Sequence, residues 1–196
     1  MKPQLHLCLA LAAAALLAAG CASMNTVTSE VSTYGSWPQA RKPSTYSFER
    51  LPSQQERAAQ QDAVEASART ALESAGFTPA PAGAEPDVLV QVGARVNRTD
   101  YVAWDDPLWW RGGFGRWRYG PWAGPYWGPP ATTSRYEREV ALLIRDRSDG
   151  KPLYEAHARN DGSTAGSQDV NQAMFVAALK DFPATGLNPR TVSVQR

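Results

Sequence analysis

Cysteine and histidine are scarce in this chain of 196 residues: there are two of each. The cysteines, Cys8 and Cys21, both fall near the start, so no disulfide framework staples the fold and no cysteine-rich zinc site is available. One of the histidines, His6, also lies near the start, which leaves His157 alone and excludes a histidine-rich metal centre. Charge of one sign is missing too, with 20 Lys and Arg against 19 Asp and Glu. Without a net field there is no general attraction for nucleic acid. Beyond the first twenty residues no apolar run is long enough to span a bilayer.

What is present begins with an address. "MKPQLHLCLALAAAALLAAG" carries one early positive charge, Lys2, and then a short apolar run from Leu7 to Ala19. This is the form of a secretory signal peptide over residues 1–20, removed before folding. The run closes on "LLAAGC", where the chain resembles a bacterial lipoprotein with Gly20 immediately before the cysteine. Ala18 stands where such proteins usually carry Leu. The resemblance implies a mature chain starting at Cys21 with a thioether-linked diacylglycerol and an N-acyl chain, an anchor strong enough for permanent membrane attachment. Ala22, rather than Asp, implies sorting to the outer membrane, with the domain facing the periplasm. Residues 21–25 then form a short tether, and residues 26–196 are the right size for a single domain.

Within that domain, alternation of period two dominates. "TVTSEVSTYG" and "STYSFER" read as strands, the second with Tyr46 and Phe48 on one face. "PSQQERAAQQDAVEASARTALESAGF" switches to helical spacing. Ser53 and Glu56 predict a capping box at its start, Val64, Ala68, Ala71, Leu72 and Ala75 share one side, and Gly76 is placed to end it. "PDVLVQVGARVNRTDYV" puts Val88, Val90, Val92, Ala94 and Val96 on one face and Gln91, Arg95 and Asn97 on the other. "SRYEREVALLIRDRSDGKPLYEAHARN" predicts two strands around an Asp149-Gly150 turn, with Tyr136, Val140, Leu142 and Ile144 sharing one face and Tyr154, Ala156 and Ala158 another. "SQDVNQAMFVAALKDFP" reads as a second helix stopped by Pro183, and "TVSV" as a short edge strand. The predicted fold is α+β: a mainly antiparallel sheet of four to six strands, two helices on one face, and a long insert between two paired strands. This order, with "TYSF", "PDVLVQV", "YEREVALLIRDRSDGKPLYEAHA" and "AALKDFP", resembles an uncharacterised family of bacterial lipoproteins, domain of unknown function 4136, over roughly Val27 to Ala184. The resemblance implies no activity.

The inventory for catalysis is thin, and no enzyme activity and no cofactor are expected. His157 lies on a polar strand face, where a lone histidine is ordinarily solvated. No G-x-S-x-G elbow accompanies it, and "GFGRWRYG" lacks the setting of a phosphate loop. "DRSDG" is turn chemistry, too short for a calcium loop. Asp105 and Asp106, with Asp100 or Glu137, are the one set of carboxylates near the insert, and they define the alternative function: a hydrolase acting on envelope glycan or lipid. The most distinctive feature is the insert itself, residues 103–131, where six of the seven tryptophans crowd among Gly, Pro and Arg. Trp104, Trp109, Trp110, Arg111, Phe114, Arg116, Trp117, Arg118, Tyr119, Trp122, Tyr126 and Trp127 combine apolar rings that carry a polar handle with cations that stack on them. They form a candidate contact surface for an envelope protein, a glycan or an anionic lipid headgroup. A lid completing the core and a low-complexity loop without a partner are the competing readings. The leading expectation is a non-enzymatic outer-membrane lipoprotein, a structural or binding module of the cell envelope.

Overall fold

The computed structural model describes residues 25–102, 132–186 and 188–196, with the side chains of 101, 102, 132 and 133 left aside. One sheet organises them, with seven strands: β1 (Thr26–Gly35), β2 (Thr45–Phe48), β3 (Thr78–Pro79), β4 (Val88–Val102), β5 (Thr132–Asp146), β6 (Pro152–Gly162) and β7 (Arg190–Gln195). Their order across the sheet is β3-β2-β4-β5-β6-β1-β7. The pairings β2–β3 and β2–β4 are parallel and the remainder antiparallel. Three helices complete the described residues: α1 (Pro52–Gln55), α2 (Ala58–Ser74) and α3 (Gln168–Leu179). The sheet thus exceeds the four to six strands expected. The two-residue β3 is too short to leave a pattern in sequence, and β7 realises the suspected "TVSV" strand.

Alternation decides which residues form the core. Val88, Val90 and Val92 of β4, Val140, Leu142 and Ile144 of β5, and Tyr154, Ala156 and Ala158 of β6 are all buried. The register stacks them in rows, such as Val92 beside Leu142 beside Ala156. α3 packs against β1, β5, β6 and β7, while α2 packs on β4 and on α3, all over this one apolar face. From α2 come Val64, Ala68, Ala71 and Leu72, buried as the helical spacing predicts, with Ala75 half-buried. Gly76 ends α2 at φ +93°, where a side chain would be strained. The next N–H, from Phe77, turns back to Leu72 O at 3.0 Å.

The helix start corrects the expectation. The N-cap is Leu51 rather than Ser53, and its N–H donates to Gln54 Oε1 at 2.9 Å. The chain breaks at Glu56 and Arg57, so α1 and α2 are separate. The cause is visible in β4. β2 stops pairing at Phe48, and Gln54 and Gln61 side chains replace it by donating to Val92 O at 2.8 and 3.1 Å. Glu65, also turned inward on α2, is held by Arg50 through hydrogen bonds of 2.6 and 2.7 Å.

The far end of the sheet, where β1 finishes, is closed by aromatic rings. Phe182 lies 4.9 Å from Trp37, 5.3 Å from Phe77 and 5.0 Å from Tyr154 between centroids. Arg41 fastens the loop after β1 to the start of β4 and the end of β5 by pairing with both Asp87 and Asp146. The β5–β6 turn forms as predicted, with Gly150 at φ +71° and the Asp146 and Asp149 carboxylates accepting from the backbone N–H groups of Ser148 and Lys151.

Candidate functional site

The helices leave one face of the sheet open, and the period-two alternation that buries valines on the other face sends the polar residues here. The register aligns Glu30, Arg159, Glu139 and Arg95 in one row, and Ser32, His157, Ala141 and Gly93 in the next. Opposite charges therefore alternate across four strands. Glu139 sits at the centre, only 8% exposed although it lies on the open face. Arg95 donates to its Oε2 from Nε at 2.9 Å and also from Nη2, while Arg159 Nε stands 3.5 Å from the same oxygen. Burial opposes ionisation of this carboxyl. The hydrogen bonds from Arg95 and His157 and the charges of Arg95 and Arg159 outweigh it, so Glu139 titrates below the usual glutamate range.

His157 is not merely solvated, as a lone histidine on a polar strand is expected to be. Nδ1 lies 3.3 Å from Glu139 Oε1 and Nε2 lies 2.7 Å from Glu155 Oε1. Ser32 is its cross-strand neighbour, and each ring nitrogen faces a carboxylate. Around this network lies a cavity of about 350 Å³ between Glu30, Ser32, Tyr34, Glu139, His157, Arg159 and Pro189. A second, of about 280 Å³, is floored by Gly93, Ala141 and Leu143. No atom lies within 4 Å of a Cβ built on Gly93, so this floor is open space. The face presents a polar, charge-balanced trough.

The sequence-predicted residues divide sharply. Cys21, Asp105, Asp106 and every member of the proposed contact surface, from Trp104 to Trp127, lie outside the described residues. Asp100 and Glu137 are described, and the structure does not bring them together. Asp100 pairs with Ser134 and Glu137 with Asn97 in the β4–β5 register, so odd and even positions send them to opposite faces of the ribbon. Asp100 accepts from Ser134 Oγ at 2.6 Å and Arg98 Nε at 2.8 Å, and these bonds hold its carboxyl below the usual range. Among the described residues no group of three or more His, Cys, Asp or Glu is placed to hold a metal ion. Nor is any described helix long and apolar enough to cross a membrane.

The model of a family described only as a domain of unknown function, DUF4136, matches residues 30–184, from inside β1 to just beyond α3. The chain belongs to the DUF4136 family. No curated protein matches it. Among solved structures, this DUF4136 protein is similar to a PDZ domain protein from Parabacteroides distasonis at 12% identity and a TM-score of 0.50, with 86% of this chain and 38% of that one covered. The likeness is one of fold, and the chain spans well under half the length of that protein. Two structures of a PelC dodecamer from Paraburkholderia phytofirmans match at 10% and 12% identity, each with a TM-score of 0.37 over 77% of this chain and 94% of that one.

The topology also fixes where the insert is rooted. β4 and β5 remain partners to their last pair, Val102 with Thr132, so residues 103–131 leave and rejoin the sheet at one point. From the row of Glu30 and Arg95, β1 runs back four residues to Thr26 while β4 runs on seven to Val102, in the same direction. The chain's entry into β1 and the root of the insert therefore share one end of the sheet, opposite the aromatic closure.

Proposed function

We propose that this DUF4136 protein is a non-enzymatic outer-membrane lipoprotein, anchored through Cys21 with its domain facing the periplasm, and that its Trp/Arg insert is a contact surface for the envelope. The observation that carries the reading is the shared end of the sheet. The five residues 21–25, Cys21 included, precede Thr26, a tether under roughly 20 Å at about 3.5 Å per residue. The root of the insert lies three residues, or about 10 Å, past the level of Thr26. An anchored domain thus has the root of the insert, Val102 and Thr132, on its membrane side, and a sequence of tryptophans and arginines suits the headgroup layer. Anionic lipid is the partner that this placement favours over glycan or a second protein.

Replacing residues 103–131 by an Asn-Gly turn between Val102 and Thr132 tests the reading, because the flanking strands are already paired there. The expected outcome is an unchanged melting temperature with loss of binding to vesicles containing phosphatidylglycerol. Undiminished vesicle binding overturns it, and a melting point lowered by many degrees assigns the insert to the core instead. Separately, Cys21→Ser is expected to move the protein from the membrane to the soluble fraction.

A further inference from the structure

β4 has two edges, and they are treated differently. One is paired with β5 along its whole length. The other meets β2 only from Val88 to Val90, then receives Glu49 N–H on Val90 O at 2.9 Å and the two glutamine side chains on Val92 O. From Ala94 onward, among the described residues, no backbone hydrogen bond reaches this edge. Because Val90 O and Val92 O point outward, alternation turns the backbone groups of 94, 96, 98, 100 and 102 outward as well. The stretch carries no proline, lysine or bulge, and the charges it does carry, Arg98 and Asp100, are of opposite sign and paired with each other. Val96 on it is 46% exposed.

The residues along the edge read Val96-Asn97-Arg98-Thr99-Asp100-Tyr101-Val102, valine to valine, with opposite charges on either side of Thr99. We propose that this edge pairs antiparallel with the same edge of a second copy, about a twofold axis at Thr99. That register sets Arg98 opposite Asp100 of the second copy, and Asp100 opposite its Arg98. It also sets even positions against even positions, so every outward N–H meets an outward C=O. Shifting the axis by one residue opposes Arg98 to itself or Asp100 to itself, and like charges directly across a ladder are unfavourable. The two side chains, 56% and 45% exposed, already touch within one chain at 2.8 Å. Pairing extends that contact to a ring of four alternating charges. The interface is isologous and so closes at two copies, by the strand-addition mode.

The inference stands apart from membrane anchoring, because its test uses the full chain with Cys8 and Cys21 both replaced by Ser, purified in nonionic detergent. At the axis the two Thr99 Cα atoms form a non-hydrogen-bonded pair about 4.5 Å apart, within disulfide reach. Thr99→Cys in this background is expected to give a covalent dimer on mild oxidation, whereas Asn97→Cys, which faces Tyr101 of the second copy, is expected to give none. In sedimentation, Arg98→Asp and Asp100→Arg are each expected to shift dimer to monomer, and the double exchange Arg98→Asp/Asp100→Arg to restore the dimer. A parent chain that sediments as a monomer at tens of micromolar overturns the proposal. So does a Thr99→Cys chain that fails to cross-link, or a double exchange as monomeric as the single ones.

Discussion

The two ends of this sheet are built on opposite plans. At the end where β1 finishes, Trp37, Phe77, Tyr154 and Phe182 interlock and Arg41 ties three segments together. At the other, β4 from Arg95 to Asp100 is exposed at every residue, beyond the cover of the helices. Both ends are made of the same strands with the same alternation. Among the described residues, only one has helices and aromatic rings packed over it. The difference sets packing apart from exposure: the closed end holds the fold, while the open end, among the described residues, carries the root of the insert and an exposed stretch of β4.

The contrast breaks most severely at the closed end. Phe77→Ala removes a ring 1% exposed that touches Trp37 and Phe182, and is expected to cost about 3–5 kcal/mol in urea unfolding. Tyr154 gives the same end an alkaline limit. Burial pushes its phenol up to about 12 from an ordinary 10.0, so the folded protein holds the proton where the unfolded chain releases it. Its contribution is complete below pH 10 and lost as pH rises through about 12. Tyr154→Phe is expected to flatten that limb of the stability–pH curve.

Between the two ends lies Glu139. Glu139→Gln is expected to cost about 1–3 kcal/mol, held down because Arg95 and Arg159 reach solvent and are rehydrated. Its carboxyl titrates below the ordinary 4.5, so the stabilisation is present above that pH and is lost as pH falls through the lowered value. Urea midpoints measured from pH 7 down to pH 3 are expected to fall less steeply in the variant. Tyr46→Phe acts in the other direction. The hydroxyl is buried without a partner, and its removal is expected to raise stability by about 1 kcal/mol. At the open end Val96→Ala is expected to change unfolding by less than about 0.5 kcal/mol. A larger loss would mean that this valine is covered.

Most of the fold is legible from pattern because alternation and helical spacing are local properties. β1, β4, β5, β6 and the body of both long helices follow from them, as does the Gly76 stop. What escapes is whatever depends on a neighbour distant in sequence. Val96 shares the inward side with Val92, and alternation assigns that side correctly. It does not say that the helices end before reaching it. Gln61 and Glu65 read as polar interruptions of α2, yet they face inward because Val92 O and Arg50 await them. Glu139 looks like any solvated strand carboxylate until the register brings Arg95, His157 and Arg159 around it. Arg138, on the apolar side, is 7% exposed, and its guanidinium lies against Gly162, where a Cβ would fall 1.6 Å from Nη2 and displace it. Of the candidate site, composition singled out the insert, while the open-face network required the cross-strand pairing.

The position of β1 has a mechanical consequence. It lies between β6 and β7, bonded to β6 from Glu30 to Gly35 and to β7 from Thr26 to Val31. The C-terminal Arg196 N–H adds a bond to Asn25 O at 2.7 Å, at the point where the chain enters. A pull applied at Asn25, as the proposed anchor would apply it, runs lengthwise along β1, so the ladders on its two sides share the load instead of opening one bond at a time. A domain hung this way resists in shear, and yields later than a hairpin peeled from its edge.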